Sequence, residues 1–150
     1  MNHTLAITIW FAVLALLILT ALGPCITSAQ ARPHLIRTVQ MQVTAYCPCS
    51  ICCGRHSDGK TASGTKADHP LVAAPRSIPF GSWVIVPGYN HGNPVRVEDR
   101  GRVIRGNRLD VLFQKLPGEK GYRPAHARAV AWGVQTLSVT IQYPNKEDRS

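Results

Sequence analysis

Val95-Arg96-Val97-Glu98-Asp99-Arg100-Gly101-Arg102-Val103-Ile104-Arg105-Gly106-Asn107-Arg108-Leu109-Asp110-Val111-Leu112-Phe113 reads as two short apolar runs joined by a loop that carries two glycines. Alternating apolar positions give each run the period of a half-buried strand. Asp99 closes the first run and Asp110 interrupts the second. A carboxylate inside an apolar strand must find a partner or have its pKa raised until it holds a proton, because desolvation disfavours the charged form. A carboxylic acid kept protonated near neutral pH is what cleavage of a glycosidic bond requires.

The same pattern extends in both directions. Val39, Met41, Val43 and Ala45 alternate with polar residues, which predicts a strand from Arg37 to Tyr46. Further short runs lie at Leu71–Ala74 and Trp83–Val86, separated by the turn-forming segments Ile78-Pro79-Phe80-Gly81 and Pro87-Gly88-Tyr89-Asn90. Gly54 to Pro70 is polar and rich in Gly, Ser, Thr and Asp, the composition of a long loop. Pro124 to Trp132 suits one short helix, with Pro in its first turn and Gly133 beyond its end. Leu137, Val139 and Ile141 alternate in a last strand. Many short strands, turn punctuation and one helix predict an all-β chain folded as a compact barrel, not a sandwich of long strands.

The first 31 residues contain no Lys, Arg, Asp or Glu, and Leu5 to Leu22 is apolar except for Thr8 and Thr20. Ala29-Gln30-Ala31 supplies the small-x-small pattern of a signal-peptidase site, which favours a cleaved secretory signal. An uncleaved membrane anchor is the alternative, since the apolar run is long for a signal and lacks a positive flank. Both readings export the remainder to the periplasm, the cell wall or the extracellular space. The expected organisation is a leader at 1–31, a linker at 32–38, a barrel domain at 39–142 and a polar tail at 143–150.

The formal charge of +9 falls entirely after the leader. Outside the cytoplasm such a surface meets anionic wall polymers or lipid headgroups, or serves only for solubility. Nucleic acid is disfavoured, because no aromatic residues interleave with Arg100 to Arg108.

Of eight acidic side chains, Asp58, Asp68, Glu119, Glu147 and Asp148 fall in loops or the tail and are expected to be solvated. Glu98, Asp99 and Asp110 remain. Simple alternation puts Asp99 on the face of Val95 and Val97 and turns Glu98 away with Arg96 and Arg100. The bland reading of Asp110 is an ion pair with Arg100, Arg102, Arg105 or Arg108, any of which would lower its pKa and oppose an acid role.

Cys47-Pro48-Cys49-Ser50-Ile51-Cys52-Cys53 packs four thiols into seven residues. After export, an even count reads as disulfides, with Cys52 and Cys53 cross-paired to Cys47 and Cys49. Zinc bound with the help of His56 or His69 is the sharper alternative, but the spacing matches no standard zinc ribbon, so no metal or other cofactor is expected. His56, His69, His91 and His126 read as surface or loop residues.

In order, the segments Val43-Thr44-Ala45-Tyr46, Lys60-Thr61-Ala62-Ser63-Gly64-Thr65, Val72-Ala73-Ala74-Pro75, Ile78-Pro79-Phe80-Gly81, Val86-Pro87-Gly88-Tyr89, Glu98-Asp99-Arg100-Gly101, Ile104-Arg105-Gly106-Asn107-Arg108-Leu109-Asp110 and Ala131-Trp132-Gly133 resemble the 3D (three-aspartate) domain family. That family is related to the catalytic barrel of membrane-bound lytic transglycosylase A. The resemblance covers about Met41 to Ile141. It implies a six-stranded double-psi β-barrel that cuts peptidoglycan glycan strands between N-acetylmuramic acid and N-acetylglucosamine. It carries the catalytic aspartate onto Asp110 and its companion onto Asp99, with Tyr46, Thr61, Ser63, Arg105 and Asn107 as substrate-binding candidates. Two positions depart from the pattern: Ala74 stands where the family usually has its third aspartate, and Arg102 replaces a glycine. The competing reading is therefore a non-catalytic wall-binding barrel that keeps the groove without the chemistry.

Overall fold

The computed structural model describes residues 35–145; the leader expected at 1–31, the start of the linker and the end of the tail lie outside them. Strand β1 (Ile36–Tyr46) is followed by a one-turn helix α1 (Ser50–Cys53), then β2 (Leu71–Ala73), β3 (Trp83–Ile85), β4 (Val95–Asp99), β5 (Arg108–Leu112), helix α2 (Arg123–Trp132) and β6 (Gln135–Gln142). The strands pair in the order β1-β5-β2-β4-β3-β6, and β6 returns to β1, so the ring closes. Pairs β1–β5 and β2–β4 are parallel, and the other four are antiparallel. Closure leaves no open sheet edge, which suits strands as short as three residues.

The interior is filled by the apolar member of each alternation: Met41 and Val43, Val72, Val84 and Val86, Val95 and Val97, Leu109 and Val111, Val139 and Ile141. The outward residues of β1 and β6 are polar and pair across the strands. Thr38 Oγ1 lies 3.2 Å from Thr140 Oγ1, and Gln40 Nε2 donates to Ser138 Oγ at 2.7 Å. This pairing carries β1 back to Ile36, opposite Gln142, so residues 36–38 belong to the sheet rather than to a linker.

Helix α2 lies where Pro124 and Gly133 predict it, lays Ala125 and Ala129 inward, and packs against β1. Gly133 takes φ 66° at its end and its N–H returns to the Val130 carbonyl, a conformation that glycine adopts without cost. Tyr89 meets Phe113 and Trp132 edge-on, and its hydroxyl donates to the carbonyls of Leu112 and Leu71, tying β5 to the start of β2. The expectation of a single helix is corrected by α1. It forms because Cys49 caps it, its Sγ accepting the Cys52 N–H at 3.4 Å.

Candidate functional site

Ala73 on β2 is the hub of the acidic site. It registers with Asp99 on one neighbouring strand and with Asp110 on the other. The two carboxylates therefore project from strands on either side of one small residue, with Cα atoms separated by about two strand spacings, or roughly 10 Å. Their common face corrects the alternation argument. Val72 pairs with Val97, but the next β2 residue pairs with Asp99, so a bulge at Glu98 inserts one extra residue into β4. Val97 points into the core while Asp99, two residues on, stands on the outer wall with Ala73 and Asp110.

Asp110 registers with Thr44 across the parallel β1–β5 pair, and the Thr44 hydroxyl donates to Asp110 Oδ1 at 2.8 Å. Burial pushes the Asp110 carboxyl from 3.8 up to about 6; the Thr44 bond opposes this, Asp99 adds to it by like-charge repulsion, and Arg108 opposes it. Among the described residues no ion pair involves Asp110. The guanidinium of Arg100 is spent elsewhere, donating to the carbonyls of Ala74 and Ile78 at 2.9 Å each and lying 4.0 Å over the Phe80 ring. Arg105 donates to the Arg102 carbonyl, and Arg108 Nε is buried without a hydrogen-bond partner.

Asp99 is held by three donors. Tyr46 Oη reaches Oδ2 at 2.5 Å, and the backbone N–H groups of Ala62 and Arg100 reach Oδ1 at 2.8 Å each. Burial, reinforced by Asp99, pushes the Tyr46 phenol far above its usual range, so it remains a donor at any working pH. Glu98 accepts from Thr65 Oγ1 at 2.7 Å and lies 3.0 Å from His69 Nε2.

The remaining substrate-binding candidates divide. Thr61 is buried, its Oγ1 2.9 Å from Ser63 Oγ and 2.8 Å from Thr65 Oγ1, while the Ser63 N–H donates to the Glu98 carbonyl. This hydroxyl cluster seats the 61–65 loop on the end of β4, beside Asp99. Arg105 and Asn107 are exposed on the β4–β5 loop, and the Asn107 carbonyl accepts the Gln42 N–H. Arg105 joins Arg76, Arg100 and Arg102 around a cleft of about 640 Å³ that begins at the residue after Asp99. Ala74, at the position of the missing aspartate, is wholly buried in the core. Glu119, expected to be solvated, instead forms a two-point pair with Arg128 and accepts the Leu116 N–H.

The cysteines do not form the expected disulfides: Cys47, Cys49, Cys52 and Cys53 are all free thiols. Cys47 and Cys52 Sγ lie 3.6 Å apart, against about 2.0 Å for a disulfide. The turn of α1 directs Cys47, Cys49 and Cys52 to one point, where His126 Nδ1 of α2 stands 3.8, 3.5 and 3.4 Å from their respective sulfurs. Cys53 points away and donates to the Cys47 carbonyl. His56 and His69 are engaged elsewhere, by Arg55 and by Asp68 and Glu98.

Thr44 and His126 are the residues that sequence reasoning missed. Thr44 meets Asp110 only through a parallel pairing that links strands 66 residues apart. His126 lies 74 residues beyond Cys52, so nothing local in the sequence ties it to the cysteines. No family model matches the chain. It is similar to YabE of Bacillus subtilis (strain 168), a protein named for cell wall shaping, with 29% identity over 106 residues, 70% of this chain and 23% of YabE. The chain thus spans less than a quarter of that relative.

Proposed function

We propose that this chain is an exported lytic transglycosylase, a double-psi barrel that cleaves the MurNAc–GlcNAc bond of peptidoglycan with Asp110 as its single acid. One observation carries the reading: a partly buried carboxyl on the barrel wall, in no ion pair with an arginine and pushed up to about 6, beside a second carboxylate across Ala73. The two parallel pairings in the ring support the double-psi topology, and the similarity to a protein named for cell wall shaping supports the substrate.

Protonated Asp110 donates to the glycosidic oxygen as oxocarbenium character develops on the muramyl C1. The resulting carboxylate then accepts the proton of the muramyl 6-hydroxyl, whose oxygen closes the 1,6-anhydro ring. No water nucleophile and no second catalytic carboxyl are needed, unlike in glycoside hydrolysis by a carboxyl pair. Ring closure gains from the intramolecular placement of the hydroxyl. Asp99, fixed by Tyr46 and two backbone N–H groups, orients the sugar and keeps the Asp110 proton tightly held. Arg76, Arg102 and Arg105 line the adjoining cleft, where they hold lactyl or stem-peptide carboxylates.

Incubation of the purified protein with peptidoglycan sacculi, followed by mass spectrometry of the soluble fraction, tests the proposal. The expected products are 1,6-anhydro-muropeptides, which disappear with Asp110→Asn. Co-pelleting with sacculi without product release would refute catalysis and leave a wall-binding barrel.

A further inference from the structure

We infer that Cys47, Cys49, Cys52 and His126 form a structural zinc site that fastens the end of β1 and helix α1 to helix α2. The four ligand atoms lie within 4.8 Å of one another. A tetrahedral zinc, with bonds of about 2.3 Å to sulfur and 2.0–2.1 Å to nitrogen, has edges of about 3.8 Å between sulfurs and about 3.6 Å between sulfur and nitrogen. The observed Cys47–Cys52 edge is 3.6 Å, and the three sulfur–nitrogen edges are 3.4, 3.5 and 3.8 Å.

Hydrogen bonding does not account for this convergence. One ring nitrogen has one lone pair or one proton to offer, so it satisfies one thiol and not three. A soft divalent cation satisfies all four at once, and three sulfurs with one imidazole in a tetrahedron select zinc. Four protein ligands close the coordination sphere, which marks a structural rather than a catalytic ion.

The local structure also needs such a tie. Helix α1 has four residues and buries none of them, and its Ile51 is 78% exposed. Apolar packing therefore does not hold this segment, whereas a metal bridging Cys52 to His126 closes 74 residues of chain. Cys47 directly follows Tyr46, whose hydroxyl bonds Asp99. The zinc site thus positions Tyr46 from behind, and it stands whether or not the barrel cleaves glycan.

Elemental analysis of the full chain purified under reducing conditions tests the inference, with about one zinc per chain expected. Replacement by Co²⁺ is expected to give the strong visible bands of a tetrahedral site together with thiolate-to-cobalt charge transfer. His126→Gln should weaken zinc binding at least about tenfold, and Cys49→Ser similarly, while Cys53→Ser keeps full zinc because its sulfur bonds a backbone carbonyl. The inference is overturned if the wild-type chain carries no stoichiometric zinc and gives only weak octahedral cobalt bands. Loss of zinc in Cys53→Ser as complete as in Cys49→Ser would overturn the ligand set, and disulfides in the reduced-purified chain would overturn the site. None of these wild-type measurements depends on a variant that folds.

Discussion

Asp110→Asn is expected to stabilise the fold as it removes cleavage. The folded state holds the Asp110 proton more tightly than the unfolded chain, since its pKa rises from 3.8 to about 6. At about 1.4 kcal/mol per pKa unit, ionising this group in the folded protein costs roughly 3 kcal/mol more than in the unfolded chain. The sign follows from which state binds more protons. Below 3.8 the carboxyl is protonated in both states and the cost is absent; between 3.8 and about 6 only the unfolded state loses its proton and stability falls; above about 6 the full cost is present. Asparagine never ionises and still offers an oxygen to the Thr44 hydroxyl, so it keeps the one hydrogen bond at this position. Urea unfolding of both proteins between about pH 3.5 and 8 should show a gain near zero at the acid end that grows to roughly 3 kcal/mol at neutrality. Titrations of groups not coupled to Asp110 are common to both proteins and cancel in the difference. A gain that does not change with pH, or one that reverses so that wild type is the more stable at neutrality, would show a paired carboxylate and refute the acid role.

The same proton governs turnover. Because the acid form is the active one, kcat/KM is expected to fall about tenfold per pH unit above about 6, measured as anhydro-muropeptide release; a rate that rises through neutrality would contradict it. Tyr46→Phe removes one of three donors to Asp99 and should cost about 1.5–3 kcal/mol by urea unfolding, the range for hydrogen bonds to charged groups. Gly101→Ala should cost about 1–3 kcal/mol, because its Cβ would stand 2.6 Å from Ile104 Cγ1 in the loop that joins the two aspartate strands. Combining it with Ile104→Ala, which removes the clashing Cγ1, should cost less than the sum of the two single changes, and strict additivity would rule out the contact as its cause.

Much of the fold is legible because each strand has its own alternation and its own turn residues. Val39 to Ala45, Val95 to Val97 and Leu137 to Ile141 announce their buried faces, and Pro124 with Gly133 announces α2. The ring order is not legible, since parallel partners such as Thr44 and Asp110 are joined by nothing local. For the same reason the face of Asp99 is misread. Period-two reasoning assumes an unbroken ladder, and the bulge at Glu98 breaks it at the residue that matters. The cysteines could be counted but not aimed, because a count of four is even while the cluster uses three and borrows a histidine from α2.

The arginine-rich loop poses the hardest question for an acid at Asp110, and hydrogen-bond accounting answers it. Four guanidinium groups within ten residues would hold a nearby carboxyl low if they faced it. Arg100 instead donates from both terminal nitrogens to the carbonyls of Ala74, just past the end of β2, and of Ile78, in the turn that follows. Arg105 caps the Arg102 carbonyl inside the loop. These two arginines line the cleft, and the rise that burial gives Asp110 is opposed first by the Thr44 hydrogen bond and then by Arg108. Charge density in the sequence is thus a poor guide to the field at one atom. Backbone carbonyls hold Arg100 and Arg105, so burial rather than an ion pair sets the raised pKa of Asp110.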